Sequence, residues 1–192
     1  MAARITPLQP QGNPADIQEL LDFGTDSTGG ASNVFLTLAK NPALFRRWLP
    51  MTAEFYTESS LAPRQRELLI LRTAWRCRSD YEWGAHVRMS RAAGLTEGEI
   101  AGVAGPLEAQ AWSSADEALL RAADELVDDH TVTASTWAAL ARHYDEPHLI
   151  EVLMVVGTYI GLAGFLNAVG VEREAGVAGL PTTAKENQRC LA

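Results

Sequence analysis

Two cysteines in 192 residues, Cys77 and Cys190, are too few for a disulfide scaffold, and their spacing matches no zinc motif. Basic residues are also scarce: 16 Lys and Arg stand against 24 Asp and Glu, a net charge of −8. That balance argues against nucleic-acid or anionic-membrane partners, both of which need basic patches. There is no Gly-rich phosphate loop, no GxSxG elbow, no HExxH and no ordered Ser/His/Asp set. No apolar run follows the start MAARITPLQPQGNPADIQ, so a secretory signal is not expected, and a reducing cytoplasmic compartment is. Period-2 alternation and Asn-Gly or Asp-Gly hairpin signals are missing as well, which leaves little room for β-structure.

What is present is helical. Hydrophobic residues make up 47% and charged residues 21%, ordinary for a globular chain of one domain. Start signals recur along it. Asn13-Pro14, Ser32 and Asn41-Pro42 open the first three helices, and Pro50 is expected to break or kink the third. Pro63 opens RQRELLILRTAWR, while Ser79-x-x-Glu82, Thr96-x-x-Glu99 and Ser114-x-x-Glu117 read as capping boxes. Thr133 caps a short helix, and Asp145-Glu146-Pro147 starts a long apolar one that ends at Gly170. From Val152 to Val171 no residue is charged, and Gly157 and Gly161 form a GxxxG pair. Glu151 and Glu172 flank the run without any basic cluster, so a helix buried in a bundle or an oligomer interface is expected, not a membrane span. The expected fold is all-α, one domain over residues 1–174 with about eight helices, and a tail or arm over 175–192.

Side chains suited to chemistry concentrate between Arg64 and Arg91. Glu82 and His86, four apart, share one helical face. A short turn over 77–79 folds that helix back on its predecessor, so Glu67 can meet them there. An imidazole beside carboxylates suits proton transfer, and burial would raise a glutamate's pKa toward the working range. Arg72 is a candidate anchor for an anionic substrate. Tyr56, Trp83, Phe165 and Asn167 are candidate pocket walls, with core packing the competing reading for the three aromatics. The competing reading for Glu82 is the capping box, and for His86 an exposed i,i+4 partner. Cys77 is either an inert small hydrophobe or a thiol placed to react. No third ligand accompanies Glu82 and His86, so no metal site is expected.

The segment from Leu61 to Leu95, LAPRQRELLILRTAWRCRSDYEWGAHVRMSRAAGL, resembles the signature of the carboxymuconolactone decarboxylase family, which includes alkylhydroperoxidase D. The resemblance runs more loosely over residues 30–175. It implies a helical fold around a helical hairpin, assembled as homotrimers or homohexamers. The peroxidase branch carries a CxxC pair and a relay glutamate. Aligned on His86, those positions are Ser79, Glu82 and Glu67, so the glutamate and histidine are kept and the dithiol is missing. Dithiol peroxidase activity is thereby disfavoured, since one thiol cannot close an intramolecular disulfide. The decarboxylase branch carries the Glu82/His86 arrangement and uses no cofactor. The resemblance therefore implies a cofactor-free acid–base enzyme for a small carboxylated or carbonyl-bearing molecule, of lyase or isomerase type, with His86, Glu82 and Glu67 catalytic. A peroxide-linked enzyme acting through Cys77 and a non-catalytic oligomeric binding protein are the alternatives.

Overall fold

The computed structural model describes residues 3–23 and 31–181. The loop expected over 24–30, Cys190 and the chain beyond 181 lie outside the described residues. Among the described residues the fold is all-α. The helices are α1 (Ala15–Phe23), α2 (Asn33–Leu38), α3 (Pro42–Thr57), α4 (Pro63–Arg76), α5 (Asp80–Ala92), α6 (Glu97–Val103), α7 (Ser114–Asp129), α8 (Ala134–Leu140) and α9 (Glu146–Val169), with a single 3-10 turn over Leu107–Ala109.

The helix α4 is the axis. Every residue from Arg66 to Ala74 is buried, which one amphipathic face cannot explain. Leu69 and Ile70 pack with Leu119, Ala122, Val152 and Val156 of α7 and α9. Leu68, Leu71 and Ala74 pack the other way, with Trp83, Ile100 and Val103 of α5 and α6. A helix apolar on two sides and polar on the rest must sit inside a bundle, and its polar residues then need partners or functions. Helices α1 to α3 form a smaller cluster around Phe45, which is fully buried.

Local signals set the helix starts. Asn41 accepts a hydrogen bond from Leu44 N at 3.2 Å, and Thr96 and Glu99 form a reciprocal capping box. The box expected at Ser114 is displaced by one residue: Ser113 is the cap, accepting from Asp116 N at 3.1 Å. Nor does Pro50 break α3, which runs through it to Thr57. Pro50 and Arg46, whose carbonyl loses its i+4 donor, are both exposed, so water can satisfy that oxygen.

The chain after Gly170 turns back on its own domain. Asp80 of α5 accepts from Leu180 N at 2.8 Å and pairs with Arg173 at 2.7 Å; Glu174 accepts from Tyr81 Oη at 2.7 Å. A Cβ added at Gly84 would lie 2.6 Å from the Ala178 carbonyl oxygen, so glycine is what lets this backbone lie against α5. The described part of the expected tail therefore lies as a strap on α5.

One face of α9 is buried, from Leu149 through Val155 and Tyr159 to Val169. The other is bare: Ile150 is 64% and Met154 49% exposed, and nothing lies within 4 Å of a Cβ added at Gly157, Gly161 or Gly164. By length and composition α9 could cross a membrane, but within this chain its other side packs on α4 and α7.

Candidate active site

The α4–α5 hairpin brings two acids and the imidazole to its inner side. Its turn is tight, with Arg78 in the left-handed region at φ 53°. Glu67 is completely buried, and its Oε2 lies 2.8 Å from His86 Nδ1. Arg66 Nε donates to the other Glu67 oxygen at 3.3 Å, and Arg66 Nη1 to the Phe55 carbonyl at 2.9 Å. The Arg66 guanidinium lies over the Tyr56 ring, 4.2 Å from its centroid. His86 is itself buried, and Tyr159 of α9 meets its ring edge to face, with centroids 5.1 Å apart.

Beside this pair stands a carboxyl group with nothing to bind. Glu82 is 1% exposed, and neither of its oxygens has a hydrogen-bond partner. The Ser79 hydroxyl, fully buried, is likewise unpartnered. Burial pushes the Glu82 carboxyl from 4.5 up to about 8, with Ser79 near enough to offset a little of the shift without reaching hydrogen-bond geometry. The capping box expected at Ser79 and Glu82 is therefore not formed. The exposed ion pair between Glu82 and His86 is also overturned: the face is buried, and Glu67 holds the ring instead of Glu82. A buried carboxyl without partners takes up a proton in preference to carrying a charge, so near neutral pH Glu82 is an acid.

Two phenols complete the cluster. The hydroxyl groups of Tyr56 and Tyr159 share a short hydrogen bond. Both are held protonated far into the alkaline range. The causes are burial first, then the Glu67 carboxylate for Tyr56 and the neighbouring Tyr56 phenol for Tyr159. Tyr56 leaves 37% of its surface open, but its hydroxyl end is packed inward against Tyr159.

Other expected site residues lie elsewhere. Arg72 has its donors engaged away from the cluster: Nε and Nη2 bind Asp124 at 2.6 and 2.7 Å, and Nη1 binds the Val103 and Gly105 carbonyls at 2.6 and 2.7 Å. Trp83 is core, packed with Leu68 and Leu71 and tilted on Trp75. Phe165 packs with Val34, Tyr81 and Leu166. Asn167 is exposed and donates to the Cys77 carbonyl at 3.0 Å, tying α9 to the hairpin turn. The Cys77 thiol is pushed up to about 11, by burial and then by the proximity of Glu82, which keeps it from forming a thiolate. Among the described residues no group of three His, Cys, Asp or Glu is placed to hold a metal. A cleft of about 320 Å³ between residues 3–7 and Asn33, Thr37, Val171 and Glu172 shares no lining residue with the His86 cluster.

Sequence reasoning missed Tyr159 and passed over Arg66. A faint signal existed for Tyr159, a phenol in the middle of an uncharged apolar run, where a buried hydroxyl needs a partner.

A helical hairpin thus presents a carboxylate, an imidazole and a second acid at one place within an all-α fold. Residues 42–125, a little under half of the chain, match the carboxymuconolactone decarboxylase family model, and the chain folds as AhpD-like proteins do. The span contains Glu67, Ser79, Glu82 and His86. Among curated proteins none matches. The AhpD core of a peroxidase-related protein from Ralstonia eutropha JMP134 superimposes with a TM-score of 0.75 at 22% identity, over 91% of this chain and 95% of that one. A peroxidase-related protein from Silicibacter sp. TM1040 gives 0.79 at 14% identity, over 92% and 95%. A cysteine-to-alanine variant of the debrominase Bmp8, in complex with 2,3,4-tribromopyrrole, gives 0.78 at 16% identity, over 91% and 94%. At these identities the likeness concerns the fold.

Proposed function

We propose that the protein is an acid–base enzyme acting on a small carbonyl-bearing or carboxylated organic molecule, by decarboxylation or a related lyase or isomerase reaction. The observation that carries this reading is the unpartnered, buried Glu82 carboxyl beside a histidine that Glu67 holds by Nδ1. With Nδ1–H donating to Glu67, Nε2 keeps its lone pair and is the base. It takes a proton from the carbon next to a carbonyl, and the C–H electron pair moves toward the carbonyl oxygen. Glu82, as the neutral acid, donates a hydrogen bond to that oxygen as charge develops. The imidazolium then returns the proton to carbon. In a decarboxylation the C–C bond breaks instead, its electrons flow into the same carbonyl, CO2 leaves and a proton is delivered to carbon. These groups move protons unaided, so the reading calls for no cofactor.

Support also comes from the fold, since a debrominase of the same architecture holds a small ring compound, 2,3,4-tribromopyrrole. Self-association is part of the reading. The bare α9 face with its three open glycines suits a second copy of this chain, as the homotrimers or homohexamers of the family imply. Sedimentation of Met154→Glu against wild type tests it, a smaller species being the expected result.

The enzymatic claim is tested by deuterium exchange. A panel of ketones, enones and lactones is incubated in heavy water and followed by proton NMR. Wild type exchanges at least one C–H beside a carbonyl, and His86→Ala, with unchanged circular dichroism, loses that exchange. Equal exchange by the variant would remove His86 from the mechanism.

A further inference from the structure

The charges of the site narrow the substrate class to the carbonyl-bearing half of the acid–base reading above, on which the narrowing rests, and set its decarboxylation version aside. Two arginines of α4 are buried near the hairpin, and both are engaged. Arg72 has four of its five donors on Asp124 and two backbone carbonyls. Arg66 pairs with Glu67, binds the Phe55 carbonyl and lies flat over Tyr56. Its charge is matched by the Glu67 carboxylate. The other groups around Glu82 are Ser79 and Cys77 from the turn, His86 from α5, Tyr56 from α3 and Tyr159 from α9. A second anion entering here would be desolvated without a counter-charge, which buried sites reject strongly. A carbonyl oxygen, in contrast, is what an unpartnered carboxylic acid and an unpartnered hydroxyl can both bind.

We propose that the site selects an uncharged carbonyl compound, its oxygen received by the Glu82 carboxyl and the Ser79 hydroxyl, and discriminates against the same skeleton carrying a carboxylate. The Glu82 carboxyl and the Ser79 hydroxyl are both buried at the start of α5. In this chain that position binds the carbonyl end of the substrate. The acidic C–H then falls on the side of the substrate that faces His86. Ionisation of Glu82 turns its donor into a repelling acceptor, so affinity for the carbonyl falls as that group titrates, near 8. Among the groups facing it, Glu67 is neutralised by Arg66, and the phenols stay protonated across this range.

The test uses the full chain and matched probes: an unsaturated γ-lactone, cyclohexenone and cyclopentenone, each beside its carboxylated twin, with binding read by ligand-observed NMR. Near neutral pH the uncharged members are expected to bind about tenfold or more tightly than their twins. Their affinity falls above about pH 8, where Glu82→Gln, which keeps an N–H donor at every pH, holds it level. Ser79→Ala weakens the uncharged probes and leaves the pH profile in place. Twins that bind as tightly as the uncharged probes, or wild type that binds none of the uncharged probes, overturn the proposal. The two claims fail separately. If carboxylates win while exchange still depends on His86, the selectivity is wrong and the acid–base chemistry stands. If uncharged probes win while His86→Ala exchanges them at the wild-type rate, the selectivity stands and the chemistry falls.

Discussion

Helix α4 buries two polar clusters, and they are built on opposite principles. At Arg72 every drawn contact closes: a bidentate carboxylate on one side and two carbonyls on the other. About one turn and a half earlier, Arg66 and Glu67 hold His86, and next to them Glu82 and Ser79 are left open. Burial and charge are alike in the two places. Only satisfaction differs. A closed buried network stabilises the fold, whereas a buried group without a partner is a cost that persists because something else binds it.

The sharpest break of this contrast is in the rate. Glu67→Gln removes the carboxylate charge that holds the His86 tautomer, and exchange activity is expected to fall by about 10²-fold or more, measured as initial rates at saturating substrate. The fold should survive, because the amide retains the shape. Arg72→Ala should do the reverse. It leaves Asp124 without its counter-charge and two carbonyls without donors, and chemical denaturation is expected to show a loss of roughly 3 kcal/mol. Asp124, whose side chain is 21% exposed, draws some relief from water, which puts the loss at the low end for buried pairs. The remaining activity per folded molecule should be unchanged.

Glu82→Gln sharpens the contrast through pH. The folded pKa of Glu82 lies above its unfolded value, so the folded state holds the extra proton. The carboxyl is then least costly below about 4.5, and wild type loses stability as pH rises from there to about 8. The glutamine variant lacks this slope, and the difference in unfolding free energy should widen over that window to the order of a few kcal/mol. Wild-type exchange should likewise decline above about pH 8. The smallest effect belongs to Cys77→Ser, which is expected to leave exchange within about twofold and stability within roughly 1 kcal/mol. A large loss of turnover there would revive the thiol.

Much of the arrangement was legible in the sequence. Helix starts at Asn41, Thr96, Thr133 and Asp145, the α4–α5 hairpin and the inward placing of Glu67 follow from spacing and capping chemistry. The misplacement of Arg72 had a visible cause. Five residues from Glu67 is about 140° around the helix, so the two cannot share a face. Trp83 adjoins Glu82 in the chain, yet one residue is about 100° of rotation, enough to send it to the α6 side. Ser79 and Glu82 have the letters of a capping box. What disqualifies them is packing: both side chains are buried in the hairpin without a cap hydrogen bond. Tyr159 was illegible for the same reason, since only packing brings it against His86.

The hairpin turn has a consequence for how the protein comes together. Glu67, Cys77, Ser79, Glu82 and His86 lie on consecutive helices joined by the turn at Cys77–Ser79, so closing that single short loop gathers them at small entropic cost. The long-range elements, Tyr56 and Tyr159 from α3 and α9, arrive over much greater chain separations and act as a cover. Amide hydrogen exchange should accordingly find the α4 amides among the slowest in the molecule, with the strap over residues 171–181 opening first. The reactive groups would be gathered by the most durable part of the molecule and sealed by later-arriving walls.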